Sequence, residues 1–239
     1  MTSDHWLQGW ADIGEDVAPA YDLAAPDPLT LTPRVIGVQL SRLNRFAGAS
    51  CVPWSVADHS RLTARIADRV LCRDVSCDRQ RAKIVAECLI HDVPEVLTGD
   101  IPSPTLRYLD TVLPGVRRAV EDGVHAPMLR AMRIACGLPL TLSVYDAGMV
   151  GLADLMALAL ERQHLLADPP RPWSALPDAP ALGQLGLRGG LRPSQSSTTA
   201  AEDWCAALED ALALYGARPL WHLPTAVAAT RAAQALDQG

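Results

Sequence analysis

His91 and Asp92 stand side by side in AECLIHDVPEVLTGD, inside a run whose apolar residues recur at helical spacing. This pair constrains the fold more than any other feature of the chain. A helix turns about 100° per residue, so with His91 as origin Asp92 lies about 100° round and Glu95 about 40°. Three ionisable groups thus share one side of a largely apolar helix, read over residues 79–97. Buried without partners they would cost several kcal/mol. Other elements must therefore bring compensating groups to this side, and a divalent cation is the economical choice.

The rest of the chain reads as helices too. PRVIGVQLSRLNRF, residues 33–46, spaces Val35, Val38, Leu40 and Leu43 helically, with Pro33 suited to a first turn. In SVADHSRLTARIADRVL, Ser55 is a good N-cap, and Asp58 three residues on can return the bond as a capping box. His59 falls in the same apolar stripe as Val56, Leu62, Ile66 and Val70. Residues 107–136 hold one or two helices interrupted near Pro114 and Pro127, and SVYDAGMVGLADLMALALERQHLL is a long apolar helix. No two-residue alternation persists for a strand's length, so the chain is predicted to be all-α.

Residues 1 to 30 read as irregular. From Asp168 the composition turns to Pro, Gly and Ser, which marks an arm or linker, and amphipathic helices follow. Two regions are predicted, a core over 1–167 and an extension over 168–239. The extension is a lid on the main body or a contact for another subunit.

His59 can join His91 and Asp92 as a ligand, and the best fourth is Asp154, which interrupts MVGLADLMALAL, a run otherwise suited to full burial. Asp146, eight residues earlier, is its rival. A mixed N/O donor set of this kind suits Mn, Fe, Co, Ni or Zn, with Mg also admissible, better than Ca or an all-thiolate zinc site. The six cysteines lie scattered without a CxxC pair and read as reduced thiols.

A formal charge of −6 argues against a broad nucleic-acid surface, though not against a small phosphorylated ligand. No apolar run is long enough to span a bilayer, and MTSDHWLQGWADIGED lacks a signal peptide's regions, so a soluble, cytoplasmic protein is expected. No GxxxxGK[ST] loop is present.

The order LSRLNRF, PWSVADHS, HDVPEVLTGDIPSP, ADLMALALE resembles the HD-domain phosphohydrolases, whose ligands follow H…HD…D. Within that family it is similar to the bacterial 5′-deoxynucleotidases and phage dNTP triphosphohydrolases, over roughly residues 22–166. The resemblance implies an all-α HD bundle, one divalent metal and a homo-oligomer, dimer or higher. It casts His59, His91, Asp92 and Asp154 as metal ligands, and favours Asp154 over Asp146 because AD followed by Glu161 matches the branch. It casts Glu95 as acid/base, Asp100 as a second acidic group needed for activity, Arg45 as a phosphate contact and Phe46 as the aromatic near the sugar. Many relatives carry Trp where Phe46 stands, and Lys where Leu106 stands; the neighbouring Arg107 can replace that missing cation. Glu161, two turns beyond Asp154, is expected to form a structural ion pair.

The activity implied is metal-dependent hydrolysis of the 5′ phosphoester of a nucleotide, yielding nucleoside and phosphate from a deoxynucleoside monophosphate. The alternative is a triphosphohydrolase yielding nucleoside and triphosphate. A non-catalytic nucleotide-binding module is the remote alternative, disfavoured because all four ligands, Glu95 and Asp100 are present. HDVPE replaces the HDxGK of cyclic-dinucleotide phosphodiesterases, and only His125 is available as the extra histidine of di-iron oxygenases.

Overall fold

Side chains that accept the orphan N–H groups of a first turn set where several helices begin. Thr32, Ser55, Ser143 and Ser196 each accept a backbone N–H three residues on. Ser55 and Asp58 form the full capping box expected from their spacing. In the computed structural model, which describes residues 21–168 and 176–237, these starts belong to an all-helical chain. The helices are α1 (Pro33–Arg42), α2 (Val56–Ile66), α3 (Asp78–Ile90), α4 (Glu95–Thr98), α5 (Ser103–Val112), α6 (Val116–Val120), α7 (Ala126–Cys136), α8 (Val144–Leu165), α9 (Ser197–Tyr215) and α10 (Thr225–Asp237). Residues 1–20 of the expected irregular segment, and 169–175 of the arm, lie outside the described residues.

α2 and α3 pack together at the centre, α8 crosses both, and α1 and α9 close the other side. Trp204 of α9 is fully buried and donates from Nε1 to the Leu89 carbonyl of α3 at 3.0 Å. Gly37 lets α1 approach α9: a Cβ there would stand 2.9 Å from Cys205 Sγ and 3.2 Å from the Ala201 carbonyl oxygen. The extension is thus built into the same core, while α10 packs on a small satellite cluster with Ile134 and Leu220. All six cysteines are free thiols.

Four local expectations are corrected. The helix read over 79–97 ends at Ile90, and successive three-residue turns lead to the short α4, so His91 and Asp92 sit at a helix end. Pro127 does not interrupt: it occupies the first turn of α7, where its missing N–H costs nothing, and a π-helical turn (Glu121–His125) joins α6 to α7. In α1 the buried residues are Pro33, Ile36, Gly37, Leu40 and Ser41, while Val35, Val38 and the C-cap Leu43 are only half-buried. The apolar run of α8 is not fully buried either. Val150, Ala153, Ala157 and Leu160 face the core, but Val144, Tyr145, Leu152 and Leu155 are exposed.

Candidate metal centre

His59 projects from the first turn of α2 and is completely buried. Its Nδ1 lies 2.7 Å from Glu161 Oε1 of α8, and its Nε2 lies 3.0 Å from Asp154 Oδ1 and 3.4 Å from Asp92 Oδ2. His91 ends α3, where its Nδ1 is 2.7 Å from the Cys88 carbonyl oxygen. A carbonyl only accepts, so Nδ1 carries the proton and Nε2 of the neutral ring keeps its lone pair. That Nε2 points at Asp92 Oδ1 (3.2 Å) and Asp154 Oδ1 (3.8 Å), yet is buried without a hydrogen bond.

The four expected ligands therefore converge from three helices. Donor atoms of His59, His91 and Asp92 lie within 4.8 Å of one another; Asp154 is outside that mutual group but reaches both histidine nitrogens. A divalent ion bonded at about 2.1 Å holds adjacent tetrahedral ligands about 3.4 Å apart, and octahedral ones about 3.0 Å. The observed contacts bracket these spacings. An orphaned histidine nitrogen facing carboxylates is likewise what a cation would satisfy. The residues fit a divalent metal.

Asp146, the rival ligand, is fully buried elsewhere on α8, where it pairs with Lys83 Nζ at 2.6 Å and bonds Gln80.

Around the cluster, the loop between α1 and α2 is pinned by backbone bonds from Arg45 to Trp54 (2.8 Å) and from Val56 to Leu43 (2.9 Å). This sets Arg45 beside the ligands, with Nη1 3.5 Å from Asp92 Oδ2 and Nε 3.3 Å from Glu161 Oε2. Phe46 and Ala47 follow with left-handed φ of 58° and 52°, and Asp100 Oδ2 accepts the Phe46 N–H at 2.8 Å. Non-glycine residues adopt this region rarely, so the Asp100 bond helps hold a strained turn. Arg107 lies exposed on α5, with no bond to the cluster among the described residues. His125 is half-buried beside Thr98 Oγ1, 2.9 Å away.

Electrostatics follow from this crowding. Burial, then repulsion from Asp92 and Asp100, pushes the Glu95 carboxyl up to about 9. Burial also raises Asp100. For His59, burial and Arg45 oppose the charged ring, but Glu161 and Asp154 outweigh them and lift it to about 10. Burial opposes ionisation of Glu161 as well, yet His59 and Arg45 hold it below the usual carboxylate range. Without a metal, protons on the imidazole balance the carboxylates.

Two residues carry more than the sequence suggested. Glu161 does form an ion pair, its partner being Arg45, but it also fixes the His59 ring and accepts a 2.7 Å bond from Trp54 Nε1. A carboxylate behind a ligating histidine orients the ring and raises its basicity.

Buried histidine nitrogens converging with aspartates from three helices mark an all-helical protein with a cluster that could hold a metal ion. Comparison with known proteins makes that class specific. A family model described as HD domain matches residues 44–118. The chain is 31% identical over 161 residues to the uncharacterized protein YfdR of Escherichia coli (strain K12), covering 67% of this chain and 75% of that one. It is 36% identical over 93 residues to the dATP triphosphohydrolase of Salmonella phage PMBT28, covering 34% of this chain and 46% of that enzyme. This protein belongs to the HD-domain phosphohydrolase family, and it is a hydrolase.

Proposed function

We propose that the protein hydrolyses the 5′ phosphoester of a nucleoside monophosphate, releasing nucleoside and phosphate. The observation that carries this reading is the pairing of one guanidinium, Arg45, with the His59–His91–Asp92–Asp154 cluster. One such cation beside one divalent metal suits a single phosphoryl group, where a triphosphate calls for more positive charge.

His59, His91, Asp92 and Asp154 would hold a divalent ion, which would supply Lewis acidity for the attack of water on the phosphoryl group. Arg45, held by Asp92 and Glu161, contacts the phosphoryl oxygens and offsets charge as the ester bond breaks. Glu95, whose carboxyl is pushed above the usual range by burial and by Asp92 and Asp100, positions the attacking water or passes a proton to the leaving 5′ oxygen. Asp100 holds the turn that carries Arg45 and Phe46, and Phe46 packs against the sugar.

Cleavage at the same oxygen of a deoxynucleoside triphosphate is the second reading, favoured by the similarity to the phage dATP triphosphohydrolase. The test is product analysis with Mn- or Co-loaded protein and a panel of ribo- and deoxynucleoside mono- and triphosphates. Nucleoside with orthophosphate from a monophosphate supports the first reading, and nucleoside with intact triphosphate the second. No turnover on any nucleotide rejects both.

A further inference from the structure

A second cluster of cations stands apart from the metal centre. Arg61, Arg65, Arg69 and Arg73 recur every fourth residue along α2 and beyond, in a chain of net charge −6. Like charges at this spacing repel on a helix face. Arg61 is committed to Asp203 (2.8 Å) and to Ser194 of the arm. Arg69 lies within, and Arg73 just beyond, a π-helical turn (Ala67–Leu71) closed by a Cys72 N–H to Ala67 carbonyl bond of 2.8 Å. Single π-turns of this kind gather at functional sites.

Here Arg69, Arg73, Arg81 of α3 and Gln184 of the arm line a cavity of about 340 Å³ with Asp68 and Val70. Asp68 orients two of the guanidiniums: its Oδ1 lies 2.6 Å from Arg81 Nη2, and its Oδ2 3.5 Å from Arg69 Nε. Arg73 has no hydrogen bond or ion pair among the described residues. Three guanidiniums facing one carboxylate leave two positive charges uncompensated around one cavity. Arg65 nearby is lowered from its ordinary value, by burial first and then by Arg61 and Arg69. Planar guanidiniums bind phosphate oxygens through paired N–H donors, and Gln184 adds a neutral amide.

We propose that this cavity binds a small molecule carrying two adjacent phosphate groups, and that the arm's turn at residues 182–187 forms one wall. Arg69 lies ten residues beyond His59 on the same helical run, about 15 Å along it, so this site is separate from the metal centre.

The test is titration calorimetry of the full chain with inorganic pyrophosphate, in EDTA at fixed ionic strength. One saturable site is expected in the unaltered protein. Arg69→Glu and Arg73→Glu should weaken binding at least about tenfold, and Gln184→Ala a few-fold. Arg73→Gln, which removes the charge without reversing it, should weaken binding too, and thermal melts confirm that each variant folds. Arg118→Glu makes the same net-charge change at an exposed arginine on α6 and should leave affinity unchanged. Absence of saturable binding, undiminished affinity in the Arg69 and Arg73 variants, or an equal loss in Arg118→Glu overturns the proposal.

Discussion

Replacing Glu95 with Gln should stabilise the metal-free protein while abolishing the proton donor proposed for the reaction. Glu95 titrates near 9 in the folded chain, through burial and the neighbouring Asp92 and Asp100, against an ordinary value of 4.5. A raised carboxyl contributes stability that is fully present below pH 4.5 and is lost as pH rises through about 9. At pH 7 the unfolded carboxyl is ionised about two and a half pH units above its pKa, worth about 3 kcal/mol at 1.36 kcal/mol per unit. The side chain is half-buried, so solvent screening brings the expectation to about 2 kcal/mol. For a chain of this length that is a rise in Tm of about 4 to 8 °C. The assay is thermal melting of both proteins in EDTA from pH 4 to 9. The two should coincide at pH 4, with the Gln variant gaining steadily above pH 5. A gap in Tm that stays constant across this range would refute the burial-driven shift.

The other predictions address the surrounding shell and the core. Glu161→Gln should weaken metal binding by about 10- to 100-fold, read by competition with a chelating dye, because the carboxylate behind His59 is lost. Asp100→Ala should cost about 1 to 3 kcal/mol in a urea melt and raise KM, whereas Asp100→Asn, which keeps an acceptor for the Phe46 N–H, should restore most of both. Equal defects in the two would show that the carboxylate itself acts. Gly37→Ala should destabilise the fold by about 1 to 3 kcal/mol despite alanine's better helix propensity, since its Cβ meets Cys205 and Ala201. A more stable Ala variant would mean that α9 yields at that contact.

Much of this was legible in the sequence because it is local. The capping box at Ser55 and Asp58 is written in adjacent residues, as is the helical period that puts His59 inward. Asp154 contacts both histidines, whereas Asp146 pairs with Lys83. What escaped depends on distant partners. Nothing near Trp54 announces that its indole reaches a carboxylate 107 residues away. Periodicity marks the apolar faces of α8 but not which of them another helix covers, so Leu152 and Leu155 were expected inside. The end of α3 at Ile90 was hidden because Val93 and Val96 continue the apolar rhythm across the turns that follow.

The left-handed pair at Phe46 and Ala47 bears on how this protein could be engineered. Judged by backbone energy alone, glycine is the natural choice at either position, since it adopts such angles without steric cost. Glycine also widens the range of other angles the turn can visit, and Arg45 hangs directly from it. A redesign that chased melting temperature here would trade a well-aimed guanidinium for a wandering one. Thermal robustness and the aim of the Arg45 side chain are set against each other at two residues of one loop.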